Sequence, residues 1–545
     1  NIAIGQTAGN NISTGAYNVS VGRQAGSTNT TGARNVALGT FALNLNSTAS
    51  DNVAVGYAAL YNNTTGTTRN VAIGPNALYN MTTGSYHVGI GYNAGYNQQT
   101  GQYSVYIGFN SGAGSSSTLP TGDANVGIGA STLGAYSRTT AGSNTAVGNQ
   151  ALQSLISGHS NVAVGASAGT VLTTGGYNVL LGRDAGKAIT TGGYNFFGGY
   201  QAGEAATTSS YATYLGWQAG QFATADSNVA VGSEALQGVS GSSTGDQNTA
   251  IGQKALEDIT TGSRNTAVGN NAGLNTTTGG SNVFIGKAAA YANTSGASNV
   301  AIGGGDTLFG NQTGSNNVAI GPNALKGTLG QSHSNNTAIG RLSGSSMTSG
   351  YDNVFMGPVS GEDNTTGFRN ILLGFEAGAN ITTAGGNVAI GTQTLKANTV
   401  SSTNVAIGQS CLNLTTGDSN VAIGNAAGDQ ITTGRFNIAI GANPMGTTAG
   451  VTGNNNVAIG QSSGRDLTSG EQNVFMGINS GYDVNTGSNN VCLGSGAGDL
   501  LTSGSQNTII GYAADPSSAT VSNEITLGNS SIATLRCQVT SITAL

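Results

Sequence analysis

The residues of this sequence able to do acid–base, metal or nucleophilic chemistry are few: 22 carboxylates, 3 histidines and 3 cysteines in 545 residues. Glycoside hydrolysis needs two converging carboxylates, one of them in a cleft that raises its pKa. Asp184, Glu204, Asp429 and Asp466 instead stand singly, at variable turn places. His87, His159 and His333 lie too far apart along the chain for a local metal site or a Ser/His/Asp triad. Cys411 and Cys492 take places where equivalent segments carry Ala, the pattern of buried free thiols behaving as small hydrophobes. The spacing nominates no catalytic residue, no metal ligand and no cofactor. Aromatic residues offer more, because a ring face can stack on another ring or on a sugar. Tyr177, Tyr194 and Tyr211 recur every 17 residues, and Tyr200 and Trp217 are a second pair at the same interval. These five are the candidate glycan contacts, with ring-on-ring stacking along the chain as their plainer role.

What positions them is one repeated phrase. NVAIG at Asn70–Gly74 returns unchanged at Asn299, Asn317, Asn387, Asn404, Asn420 and Asn456, with looser copies such as NIAIG at Asn1 and NVFIG at Asn282 filling the intervals. The glycines that end these pentads number 31, and 21 of their 30 spacings equal 17. The unit reads NVAIG, two variable residues, Ala, Gly or Leu, three variable residues, TTG, then two more. Val/Ile-rich pentads closed by glycine are the pattern of short strands ended by turns. Seventeen residues are too few for a helix-pair repeat, so the unit must be a coil of strands and turns. Two strands per coil are expected, the second through Ala8–Gly9 or Ala77–Leu78 and their equivalents. Coils stacked about 4.8 Å apart let each pentad satisfy its backbone on the copies above and below. The expected fold is all-β: a parallel β-roll or β-solenoid of about 31 coils over residues 1–528, followed by a C-terminal β segment, 529–545. Side chains alternate across a strand, and the middle pentad position is as apolar as its neighbours. Both faces therefore need cover, while one roll has a single interior. Another copy of the chain is the economical partner.

Composition narrows the remaining classes. With 90 glycines and 7% charged residues the chain could pass for disordered, but 37% hydrophobic residues delivered on a strict beat argue for an ordered core. Net charge is −6 with 16 basic residues scattered singly, which argues against nucleic acid as a partner. No apolar run approaches the ~18 residues of a spanning helix, so membrane insertion is not expected. The paired threonines of TTG point in different directions, which disfavours an ice-binding face. Longer spacings, 21 residues between Gly108 and Gly129 and 20 between Gly232 and Gly252, read as tolerated Gly/Ser bulges.

The NVAIG pentad with Ala three residues beyond its Gly resembles the head repeats of trimeric autotransporter adhesins, which form parallel β-rolls packed as trimers. The likeness covers nearly the whole chain, and the added TTG turn makes the unit look more like repeats of bacteriophage tail fibres. After NEITLG (Asn523–Gly528) the tail NSSIATLRCQVTSITAL alternates Leu535, Cys537 and Val539 with polar residues. That tail resembles the segment preceding a self-cleaving intramolecular chaperone of the peptidase S74 type. The resemblance implies a homotrimeric fibre, a maturation cleavage end at Leu545, and no enzymatic role for the shaft. It also implies tail or baseplate proteins held through a region ahead of Asn1, and a host cell-surface glycan or protein as target. The implied location is the virion tail fibre, outside cells; a bacterial surface adhesin is the alternative.

Overall fold

The computed structural model describes residues 1–545 except 65, 115–121, 135–139, 447–448, 535 and 537–545. Each repeat contributes one strand of three residues, the centre of the pentad, and 31 such strands run from β1 (Ile2–Ile4) to β31 (Ile525–Leu527). No helix occurs among the described residues. The chain divides into two compact units, Asn1–Asn282 and Val283–Leu545. The first holds β1 to β16 (Thr266–Val268), the second β17 (Val283–Ile285) to β31. Within each unit every strand pairs in parallel with the next, like position on like position, as in Val162↔Val179 and Ala163↔Leu180 or Val388↔Val405 and Ala389↔Ala406. Each unit is thus a β-solenoid in which about 17 residues return the chain to the same place one strand further on.

The expected second strand is absent. The Ala–Gly and Ala–Leu segments are turns, because two residues in each enter the left-handed region. In the coil that begins at Val71, Asn76 has φ 59° and Leu78 φ 51°, and Tyr86 before the next strand has φ 62°. Such residues cannot continue an extended strand. The pentad glycine is needed for a different reason. Gly74 has φ +128°, and a Cβ there would come within 2.7 Å of the Gly91 carbonyl oxygen one coil away.

In every strand except the terminal β1 and β31 the middle residue points inward and is buried, as Ala163, Phe284 and Ile509 show. It packs on the alanine three residues after the pentad glycine, on the residue following that alanine, and on the residue before the TTG turn, such as Ala168, Leu152 and Leu172. Two of these places trade volume. Where the middle residue is Ala, the residue six positions on is often Leu: Ala54 with Leu60, Ala72 with Leu78, Ala406 with Leu412. Where it is Phe197, Tyr214, Phe355 or Phe475, that place is Gly203, Gly220, Gly361 or Gly481. A Cβ on Gly220 or Gly361 would fall 2.6–2.8 Å from the ring it faces. Dense interiors tolerate swaps that conserve volume and resist those that do not.

The pentad asparagines satisfy their buried amides along the stack. Asn178 donates through Nδ2 to the Gly192 carbonyl at 3.0 Å, and its Oδ1 accepts the Asn195 backbone N–H at 3.1 Å. The same bonds repeat at successive pentad asparagines and form a buried amide ladder. The first threonine of TTG donates its hydroxyl to the next coil's carbonyl, as Thr173 does to Thr190 at 3.0 Å and Thr365 to Thr382 at 3.1 Å. Those hydroxyls serve the stack rather than solvent.

Candidate functional site

The five candidate aromatics fall in two columns. Tyr177, Tyr194 and Tyr211 each precede a pentad, and their rings stack 4.8 and 5.2 Å apart with interplanar angles of 13° and 6°. His159 stands edge-on against the free side of Tyr177, 4.7 Å between centroids. Tyr200 and Trp217 follow pentad glycines, at the far end of the strand from the tyrosine column. Among the described residues no ring contact joins those two. Tyr200 instead lies under the Arg183 guanidinium, 5.9 Å from its centroid. The expected stack of Tyr200 on Trp217 is therefore not formed, whereas the equivalent pair Tyr92 and Phe109 does stack, at 5.6 Å.

This geometry limits what the tyrosines can do. A sugar stacks on a ring face, and in the column each face is taken by the next ring. One tyrosine face is left, the outward side of Tyr211, because the next coil carries Ser227 in that place. Exposure rises accordingly along the column, from 48% at Tyr177 to 63% at Tyr211. Trp217 belongs to the same coil and is 47% exposed, with Ser233 in the following coil. A shallow groove of about 310 Å³ borders the tyrosine column, lined also by Thr174, Gly175, Gly176, Thr191, Gly193 and Ser210. The Gly/Ser bulge in that following coil is tied down: Ser243 Oγ accepts the Val239 N–H at 2.6 Å and donates to the Ile259 carbonyl at 2.8 Å. The bulge after Gly108 lies largely outside the described residues.

The titratable residues are dispersed. Asp184 pairs with Lys187 at 3.4 Å and Arg183 at 3.3 Å. Glu204 accepts a hydrogen bond from Gln221 at 2.9 Å, and Asp466 pairs with Arg465 at 2.9 Å. Asp429 is half-buried, and burial raises its carboxyl. Cys411 and Cys492 are buried free thiols, and burial pushes Cys492 up to about 12. His87 takes a ladder place: its backbone N–H donates to Asn70 Oδ1 at 2.8 Å and its ring Nε2 meets the Gly101 carbonyl, the two bonds an asparagine would make. Among the described residues no group of three His, Cys, Asp or Glu could hold a metal ion. Leu535, Cys537, Val539 and Leu545 lie outside the described residues.

Sequence reasoning missed one pair. Asp499 and Asp515 come into hydrogen-bonding contact, and Leu500 N–H donates to Asp515 Oδ1 at 3.2 Å. Burial first, then the bond and charge of Asp515, push the Asp499 carboxyl up to about 6. Their 16-residue spacing was the available signal, since it is one short of the repeat and sets them at adjoining places of successive coils. Two carboxyls in direct contact leave no room for the sugar that hydrolytic pairs hold between them.

His333 offers a measurable consequence. It is buried with neither ring nitrogen partnered, and burial lowers its pKa to about 4. The unfolded value is about 6.5, so in the interval between them the unfolded chain binds the extra proton and stability falls as pH drops. The loss approaches roughly 3 kcal/mol at pH 4. Asp499 has the opposite sign: its raised folded value favours the last coils as pH falls through about 6. Hydrogen exchange, corrected for intrinsic rates, is expected to quicken around His333 between pH 6.5 and 4 and to slow around Asp499. His333→Leu should abolish only the first trend; exchange near residue 333 that ignores pH in the wild type would refute the assignment.

Comparison with protein families, with curated proteins and with solved structures found no match for this chain.

Proposed function

We propose that this chain is the shaft of a homotrimeric attachment fibre, a bacteriophage tail fibre that reaches a host cell surface. A trimeric surface adhesin of a bacterium is the alternative with the same physics. The supporting observation is the outward face of the strands. First and third strand positions hold Val, Ile, Leu, Thr or Met almost throughout, never a charge, and their own chain leaves them half-exposed: Val164 is 41% and Met476 43% exposed. An uncharged apolar stripe repeated coil after coil is far larger than soluble monomers leave bare. The partner must repeat at the strand spacing to fill it, and a second copy of the chain does so without adjustment.

In this reading the shaft has no enzymatic role and carries no cofactor. It joins tail or baseplate proteins, works outside cells, and presents the open ring faces of Tyr211 and Trp217 to a host glycan. Val164→Lys combined with Leu181→Lys places charge on the stripe without touching the interior. The expected result is loss of the oligomer in sedimentation and loss of adsorption to host cells, with the β-sheet spectrum retained. Assembly indifferent to both lysines would remove the reading. Trp217→Ala with Tyr211→Ala should lower adsorption while leaving assembly and melting alone, and unchanged adsorption would reject the glycan contact. A gene neighbourhood of tail proteins, against one encoding a C-terminal membrane barrel, separates phage fibre from bacterial adhesin.

A further inference from the structure

Strand β12 (Phe196–Gly198) breaks the outward pattern twice. Phe196 is the one aromatic residue in the first strand position and Gly198 the one glycine in the third, among all 31 strands. Elsewhere the first position is Val, Thr or Ile and the third is Ile, Val, Leu or Met. The two departures oppose each other in size, lie on one face and occur in one coil.

The chain's own packing explains neither. Phe196 is not a core residue: it is 37% exposed, while its neighbour Phe197 fills the interior. Gly198 does not have the positive φ that makes glycine necessary. A Cβ there would meet only Leu215 Cδ2 at 2.9 Å, the movable end of a side chain, and Phe196 Cε2 at 3.8 Å. The third position carries a branched side chain in the adjoining strands, Leu181 and Leu215.

A neighbouring copy supplies the missing reason. When copies are related by rotation about an axis parallel to the stack, the first-position column of one faces the third-position column of the next. Columns of near-identical Val and Ile fit equally well after a slide of one coil, about 4.8 Å, so they specify register weakly. At zero slide Phe196 meets Gly198; after one coil it meets the neighbour's Leu181 or Leu215. We propose that Phe196 and Gly198 form a knob and hole between neighbouring copies of this chain that fixes their axial register. This inference rests on the assembly proposed above.

Three chains test it by sedimentation: wild type, Gly198→Val, and Phe196→Val with Gly198→Val, which returns β12 to the common pattern. Gly198→Val is expected to keep its β-sheet spectrum and to weaken association about tenfold, and the double substitution to restore it. Register is read by oxidising Val162→Cys with Val164→Cys in a Cys537→Ser background. Covalent oligomers should form when β12 is wild type and drop by at least about half when both β12 positions are valine. A monomeric wild type removes the assembly itself. An assembled wild type that does not cross-link, cross-linking indifferent to the β12 substitutions, or Gly198→Val associating as tightly as wild type overturns the knob and hole alone. If Gly198→Val fails to fold, the cross-linking comparison decides, because the doubly substituted strand holds residues that other coils already carry.

Discussion

Replacing Gly481 with leucine is expected to destabilise the coil around β28 (Val474–Met476) by at least about 3 kcal/mol, and adding Phe475→Ala to the same chain to recover most of that loss. The ring of Phe475 occupies the space a side chain at 481 would need. A Cβ on Gly481 falls 2.9 Å from Phe475 Cγ and nearer still to two other ring carbons. Left-handed backbone adds to the cost, since Gly481 has φ +56°. Phe475→Ala alone empties the same volume and should cost about 3–5 kcal/mol. Together the two substitutions rebuild the arrangement of Ala406 and Leu412, where leucine already sits at φ 46°. The next coil leaves room, because its middle residue is Cys492 and its following position Gly498. Volume-conserving exchanges in a close-packed interior cost less than about 1.5 kcal/mol, so the double should lie nearer wild type than either single. Chemical denaturation with hydrogen exchange at Val474–Met476 measures all four states. A double substitution no more stable than Gly481→Leu would mean that the two places do not share one volume.

That compensation shows what was legible in the sequence and what was not. The 17-residue beat, the parallel pairing of pentads and the inward middle residue follow from alternation and from backbone groups that only a neighbouring copy can satisfy. The trade between Phe475 and Gly481 also stands in the sequence, as Phe with Gly against Ala with Leu. It reads as chance variation until the two side chains are seen to share space. The second strand was misread because Leu78, and its counterparts such as Leu60 and Leu152, give no sign that their φ is positive. Left-handed backbone is ordinarily assigned to Gly or Asn, and here neighbouring coils over-determine it for bulky residues.

The candidate site was legible to the same degree. A spacing of 17 places Tyr177, Tyr194 and Tyr211 in one column, but not which ring faces remain free. Two exceptions to perfect repetition set that: Ser227 above Tyr211 and His159 below Tyr177. Asp499 and Asp515 escaped notice because a 16-residue step is off the beat by one, although it joins adjoining places of successive coils. In a repeat protein the regular residues specify the fold, and local identity is carried by the positions that break the rule.

Asn370→Ala is the sharpest test of the buried ladder, with an expected cost on the order of 4 kcal/mol confined to the coils beside it. Asn370 donates through Nδ2 to the Ala384 carbonyl at 2.8 Å and to Asn353 Oδ1 at 3.1 Å. Its own Oδ1 accepts the Asn387 N–H at 3.0 Å and Asn387 Nδ2 at 3.2 Å. Alanine strands the Ala384 carbonyl and the Asn387 N–H where water cannot reach, and a buried polar group left unpaired costs about 1–3 kcal/mol. The first unit contains a natural break at Ala212, whose N–H still donates to Asn195 Oδ1 at 2.9 Å, while Asn228 of the next coil makes the usual ladder bond, to the Gly245 carbonyl at 2.9 Å. The ladder therefore restarts one coil beyond a gap, and the damage should not spread along the unit. Asn370→Asp goes further at neutral pH, because a buried carboxylate offers no donor to Ala384 or Asn353. Burial raises that carboxyl's pKa, and once protonated it can again donate, so the aspartate variant should gain stability relative to the alanine variant as pH falls through the raised value. Hydrogen exchange in strands β21 (Val354–Met356) to β23 (Val388–Ile390) follows both effects. Protection unchanged by Asn370→Ala, or an aspartate variant whose deficit does not shrink on acidification, would show that the amides merely fill space.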